Sequence, residues 1–331
     1  MRKVLLTGGL GFIGSNFIKY WLKQYPEDIL LNIDAWTYAA RPEYLNSDWE
    51  NPRLKTIKSD IRNRGAISYA MQSFEPDCVI HFAAESHVCN SIEGPEVFMQ
   101  TNILGTFNLI EEFRNHLHGK KKKGRFLHVS TDEVFGELPE ARNVKFHELW
   151  PLQPRSPYSS SKAASDMIVQ AYAHTYGLDV VVTNCSNNYG PNQHNEKLIP
   201  KTIHKIMEEK PVSVYGQGDH VRDWIFVLDH CRAIDRVFHH GSSGERYCVG
   251  GEMELTNMQV IHRVHQKIQD LVGGHVILDL IHSNERPTDD YRYAIDNTKI
   301  KSLGWAPSPK FDDMLEETIK WYLKNDFSIR L

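Results

Sequence analysis

The sequence predicts an α/β protein in which a doubly wound parallel sheet is followed by a smaller α/β lobe. Three observations carry this. Short apolar runs alternate with stretches of helical period through the first half of the chain. The first run, Val4-Leu5-Leu6, breaks at Thr7-Gly8-Gly9-Leu10-Gly11-Phe12-Ile13-Gly14, after which Ile13, Phe17, Ile18 and Trp21 recur at helical spacing. The second, Ile29 to Ile33, ends on Asp34, twenty residues after Gly14. With 331 residues, 41% of them hydrophobic, the chain has material for one large domain and a smaller one.

Charge narrows the classes of partner. A net charge of -4 and a pI near 6.5 give no broad positive field for nucleic acid or anionic membrane. The run Lys120 to Lys123, flanked by Gly119 and Gly124, reads as a solvated loop. No apolar run reaches the roughly 18 residues of a bilayer span, and Met1-Arg2-Lys3 passes straight into a strand, so the expected compartment is the cytoplasm. Cys78, Cys89, Cys185, Cys231 and Cys248 are scattered and read as free thiols. His262 and His265 share a helical pattern without a third ligand nearby, so no metal is expected.

Taken in order, Gly8, Gly11 and Gly14 let the backbone turn sharply and approach a pyrophosphate at a helix N-terminus, as in a Rossmann fold. Asp34 can accept hydrogen bonds from ribose hydroxyls and would repel a 2′-phosphate, which favours NAD over NADP. A third strand, Leu54 to Lys58, ends at Ser59-Asp60-Ile61, which either flanks the adenine or caps a helix. A fourth, Cys78 to Phe82, is apolar enough to be buried on both faces and runs into Ala83-Ala84-Glu85-Ser86-His87-Val88, where small residues at the strand end let a cofactor lie against the backbone. Thr101 to Phe113 carries Ile103, Leu104, Phe107 and Ile110 on a helical period. The fifth strand, Phe126 to Val129, delivers Ser130, Thr131, Asp132 and Glu133 to the same carboxyl edge.

Tyr158 and Lys162 then stand four apart at the start of a helix, one turn apart on one face. A lysine ammonium beside a phenol is expected to lower the tyrosine pKa toward the range useful for proton transfer. A return strand is expected near Val180 to Thr183, closing a first domain of residues 1–184; residues 185–331 form mainly the second lobe, with segments interleaved. Thr256-x-x-Gln259 is a capping box opening a helix through Leu271, with Asn257 in its first turn.

These motifs, together with Ser186-Asn187-Asn188-Tyr189-Gly190-Pro191, Glu196-Lys197-Leu198-Ile199-Pro200 and Val221-Arg222-Asp223-Trp224, resemble the nucleotide-sugar 4,6-dehydratases of the extended short-chain dehydrogenase/reductase superfamily over essentially the whole chain. The resemblance implies a tightly held NAD on Gly8, Gly11, Phe12, Ile13, Gly14 and Asp34. It adds Asp60 and Ile61 after the third strand, and Ala83, Ala84 and Ser86 after the fourth. Thr101, Ser130, Tyr158 and Lys162 complete the cofactor set. Thr131 and Tyr158, with Lys162, would oxidise sugar carbon 4; Glu133 would act as base at carbon 5 and Asp132 as acid toward the departing 6-hydroxyl. Such an acid and base need different protonation states, so their pKa values should be pushed apart. Ser86, Thr131, Asn187, Lys197, Leu198, Tyr215, Arg222, Asn257 and Arg286 would hold the substrate, dTDP-glucose first and UDP-glucose next. The helices spanning 101–113 and 159–176 would form a four-helix homodimer contact.

Two rival readings are a 4-epimerase, for which the two acids are superfluous, and a non-catalytic nucleotide-sugar or NAD-binding protein. The sequence also departs from the pattern it resembles. Cys89-Asn90 replace an Asp-Arg pair, Asn184 an arginine, Ala35 a lysine and Asp289 a histidine expected near the phosphates, where Arg292 could substitute.

Overall fold

The computed structural model describes residues 1–139, 143–284, 288, 290–308 and 310–325. Among these the strands are β1 Lys3–Thr7, β2 Ile29–Asp34, β3 Leu54–Lys58, β4 Cys78–His81, β5 Arg125–Thr131, β6 Asp179–Cys185, β7 Asn187–Tyr189, β8 Val212–Tyr215, β9 Val221–Phe226, β10 Arg246–Val249, β11 Glu254–Thr256 and β12 Leu280–Ser283. The helices are α1 Phe12–Gln24, α2 Arg64–Phe74, α3 Val88–Glu93, α4 Pro95–Phe98, α5 Thr106–Lys120, α6 Pro157–Tyr176, α7 Leu198–Met207, α8 Val227–His240, α9 Asn257–Val272, α10 Thr298–Ser302 and α11 Phe311–Asn325.

Seven strands pair in parallel in the order β10-β6-β5-β4-β1-β2-β3. The order reverses between β1 and β4, and a ligand cleft opens at such a switch point beyond the carboxyl ends. Because successive strand residues face opposite ways, Val4 and Leu6 join one core with Phe17, Trp21 and Ile234, while Leu5 joins the other with Val79, Ile110 and Phe113. Each such side chain, fully buried, contributes roughly 1.5–3 kcal/mol. The sheet is completed by β10, a strand that returns from residue 246 to lie beside β6. The smaller units are a three-stranded sheet, β11-β9-β7, and a pair, β12-β8.

Two local differences from the sequence expectation bear on the site. The fifth strand continues through Ser130 and Thr131, which pair with Asn184 and Cys185 of β6, so these polar residues are held rigidly in the sheet. The helix expected from Thr101 begins as a π-helical turn, Met99–Gly105, and becomes α-helical only at Thr106. Consequently Leu104 faces outward at 56% exposure while Ile110 is buried. The wider turn directs Asn102 inward: its side chain brackets the Glu85 backbone at 2.8 and 2.9 Å and donates to Ser161 Oγ at 2.8 Å. Such π turns recur where function constrains a helix.

Candidate active site

The carboxyl edge of the sheet carries a cleft of about 330 Å³, lined by residues from the Gly8 loop through to Lys197 in chain order. Gly8 has φ +73°, and a Cβ there would stand 2.7 Å from Ala83 Cα, so only glycine allows β1 and the β4 loop to approach. A Cβ on Gly14 would collide with the Gly8 carbonyl. Gly11 opens α1 without a side-chain cap, leaving the first N–H groups of the helix directed at the cleft. Asp34 accepts from Leu10 N at 2.9 Å and Trp36 N at 2.8 Å. Burial pushes its carboxyl up, and those two backbone bonds oppose the shift. Glycine cradle, free helix N-terminus and strand-end carboxylate fit a dinucleotide with unphosphorylated ribose.

Further along, Thr131 Oγ1 caps a 3₁₀ turn, Asp132–Phe135, by accepting from Glu133 N at 3.3 Å. Asp132 is 2% exposed and its Oδ2 has no hydrogen-bond partner. Burial first, then the Glu133 carboxylate, raises the Asp132 carboxyl well above the usual range, which favours its protonated form. Glu133 is only half-buried. The two adjacent acids therefore occupy different environments.

The relation between Tyr158 and Lys162 differs from the sequence expectation. Lys162 Nζ donates to the Val129 carbonyl at 2.9 Å, and burial lowers the ammonium to about 8. Tyr158 is raised, not lowered: burial and then Glu133 push the phenol well above its ordinary value, and a hydrogen bond with Thr131 opposes them. The i, i+4 spacing places both residues on one face, but the lysine charge is spent on the β5 backbone.

All residues singled out for cofactor and catalysis line this one cleft, as do Asn187 and Lys197. Asp60 lies there bound to Arg62 at 2.7 Å. Lys197 Nζ reaches the Ser86 carbonyl at 3.3 Å, and Leu198 is the first residue of α7. Leu198, Tyr215, Arg222 and Asn257 do not line the cleft. Tyr215 OH is 3.8 Å from Cys89 Sγ. Arg222 is buried, donates to the Val221 and Tyr291 carbonyls at 2.8 and 3.2 Å and lies over the Tyr293 ring. Asn257 begins α9 behind the Thr256/Gln259 capping box. Arg286 and Asp289 lie outside the described residues. Arg292 does not replace the phosphate contact: it is buried and bonds Glu254 at 2.8 Å and the Val144 carbonyl at 3.0 Å.

Sequence reasoning passed over several lining residues. Arg62, Cys185, Gln193, His194 and Glu196 all face the cleft. Tyr38 OH bonds Glu196 at 3.4 Å and its ring stands edge-on to His194, which joins the two sides of the mouth. Glu196 was within a quoted motif; nothing in the local pattern marked Arg62 or Gln193.

A doubly wound sheet, a dinucleotide cradle and a Thr-Asp-Glu turn facing a Tyr-x-x-x-Lys helix define a nucleotide-sugar-modifying oxidoreductase scaffold with an added acid and base. Residues 5–318 match the GDP-mannose 4,6 dehydratase family, and the chain belongs to it. It is 44% identical to the dTDP-glucose 4,6-dehydratase of Haemophilus influenzae, over 99% of this chain and 100% of that protein. The crystal structure of the dTDP-glucose 4,6-dehydratase of Streptomyces venezuelae with NAD bound superposes with TM-score 0.89 at 40% identity, covering 98% of this chain and 97% of that one. A UDP-glucose 4-epimerase of Thermus thermophilus in complex with NAD shares the fold at TM-score 0.87 but only 26% identity, over 98% and 99% of the two chains. Among the described residues no helix is long and apolar enough to cross a membrane.

Proposed function

We propose that this chain catalyses the NAD-dependent dehydration of dTDP-glucose, with UDP-glucose as the next candidate, to the 4-keto-6-deoxy sugar. The observation that carries the reading is the Asp132-Glu133 pair, one acid buried with its carboxyl pushed up and the other half-buried, in the same cleft as Tyr158. The similarity to dTDP-glucose 4,6-dehydratases over the full chain supports the substrate.

Held by the glycine loop 8–14 and Asp34, NAD would supply the hydride acceptor for sugar carbon 4 and the hydride donor for carbon 6, and would add positive charge beside the carboxylates of the cleft. Tyr158, hydrogen-bonded to Thr131, accepts the proton of the 4-hydroxyl as the phenolate, the form that burial and Glu133 oppose in the chain alone and that the positive charge of bound NAD would favour. Glu133 removes the proton from carbon 5, acidified by the neighbouring ketone. Asp132 gives its proton to the departing 6-hydroxyl, and water leaves. Glu133 then returns its proton to carbon 5. An epimerase has no use for the second acid.

A homodimer paired through α5 and α6 is part of the proposal, supported by exposed Leu104, Met167 and Tyr176. A cytoplasmic location is supported by five unpaired cysteines.

The test is incubation of the purified protein, without added cofactor, with dTDP-glucose, UDP-glucose and UDP-N-acetylglucosamine, followed by mass spectrometry. Loss of one water from dTDP-glucose at the highest rate is expected. No water loss from any, even with NAD added, would overturn the reading.

A further inference from the structure

Behind the cleft lies a buried charged cluster that the steps above do not use. Asp166, one turn beyond Lys162 on α6, has no solvent exposure. Asn184 Nδ2 donates to its Oδ2 at 2.9 Å, a guanidinium nitrogen of Arg246 stands 3.5 Å from the same oxygen, and His128 Nε2 is 3.4 Å from Oδ1. Each partner reaches onward to the active site. Asn184 Nδ2 also donates to the Thr131 carbonyl at 3.0 Å. Arg246, from β10, lies over the ring of Phe135, which closes the turn begun by Asp132. His128 Nε2 is 3.4 Å from Lys162 Nζ.

The tautomer of His128 follows from its neighbours. Ser165 donates to the Lys162 carbonyl at 2.8 Å, so at 3.1 Å it accepts from His128 Nε2–H. Nδ1 is then the bare nitrogen, and it has no partner. With Nε2 carrying the hydrogen, His128 offers Lys162 no lone pair at that nitrogen.

The titratable groups around Lys162 are Tyr158 and Asp166 on α6, His128 on β5, His81 on β4 and Cys185 on β6, with Arg246 on β10 beyond Asp166. Burial holds His128 down to about 4, His81 well below its usual value, Cys185 up at about 12 and Tyr158 above its usual value. Burial thus favours the neutral form of all four in the chain alone. Asp166 is pushed up by burial, but the nearby His128 ring nitrogen and the Arg246 charge outweigh this and hold it below its ordinary value, which favours the ionised form. The anion acting on Lys162 from behind is thus Asp166.

We propose that Asp166, clamped by Arg246 and Asn184, is a positioning residue: its charge keeps Lys162 protonated, and its partners lock the Thr131–Phe135 turn to the helix that bears Tyr158. A buried carboxylate needs such partners to remain charged, and a unit shared by two catalytic elements holds their spacing. The proposal rests on Lys162 acting in the reaction proposed above.

The test follows the Lys162 ammonium by NMR in NAD-loaded protein carrying isotope-labelled lysine, alongside the pH profile of kcat with dTDP-glucose. Asp166→Asn should lower the Lys162 midpoint by about one pH unit or more and move the alkaline limb of kcat down equally. Arg246→Lys should leave the midpoint in place, lower kcat about tenfold and change KM little. An unchanged Lys162 midpoint in Asp166→Asn, even with a lower melting temperature, overturns the proposal, as does full kcat in Arg246→Lys. Should Asp166→Asn not fold, carboxyl NMR of labelled aspartate in the wild type decides: Asp166 ionised near neutral pH is expected, and a protonated Asp166 overturns it. The lysine titration needs no turnover, so inactivity toward dTDP-glucose with the midpoint shift intact would count against the reaction alone.

Discussion

The backbone N–H of Glu133 donates to Thr131 Oγ1 at 3.3 Å, which starts a 3₁₀ turn and sends two adjacent carboxylates into different surroundings. Asp132 goes into the core, where its carboxyl is pushed well above the usual range, whereas Glu133 remains half-buried. Glu133→Gln should therefore stop product formation, by about 10²–10⁴-fold, without changing the NAD content of the purified protein. Undiminished turnover would remove the base role.

Thr131→Val tests the cap and the bond to Tyr158 together. Loss of the capping oxygen should lower stability by about 1 kcal/mol in a denaturant titration. Turnover should fall further than stability explains, because the valine cannot hydrogen-bond the phenol. A loss of stability with full kcat would separate the cap from catalysis.

Asp223 gives a pH dependence with a definite sign. Burial raises its carboxyl to about 6, despite the bond from Met253 N at 2.9 Å. The folded chain therefore binds more protons than the unfolded chain between about pH 4 and about pH 6, and stability falls as pH rises through that window. At 1.36 kcal/mol per unit the loss is on the order of 3 kcal/mol, flat above it. Asp223→Asn removes this titration, so its melting temperature relative to wild type should climb from pH 4 to pH 7. A difference independent of pH would contradict the shift.

Asp34 both shapes the glycine loop, through Leu10 N and Trp36 N, and lines the cleft where a ribose would lie. Asp34→Ala forfeits two charge-assisted bonds, each worth about 1.5–3 kcal/mol. NAD should be lost during purification, and the preference for NAD over NADP should shrink by at least about tenfold. Calorimetric titration of both dinucleotides reads both effects.

Much of this was legible from residue order alone. Val4 to Leu6, Ile29 to Ile33 and Cys78 to Phe82 announce buried parallel strands because both faces must be apolar, and Gly8 and Gly14 announce a close approach because no Cβ fits. The Thr-Asp-Glu turn and the Tyr-x-x-x-Lys helix likewise declare themselves through local spacing. What the spacing could not convey is where each charge is spent. Lys162 looks like the partner of Tyr158, yet it donates a hydrogen bond to the Val129 carbonyl; Arg292 looks like a phosphate ligand, yet it bonds Glu254, and Arg222 also bonds backbone carbonyls. Asn184, which reads as a missing cation, is accompanied by Arg246 entering from β10, sixty-two residues later. Strand period and backbone sterics act between neighbours in the chain, so the sequence determined the sheet and the cofactor cradle. Burial and ion pairing act between neighbours in space, so only the tertiary structure decided which acid keeps its proton and which cation stands behind it.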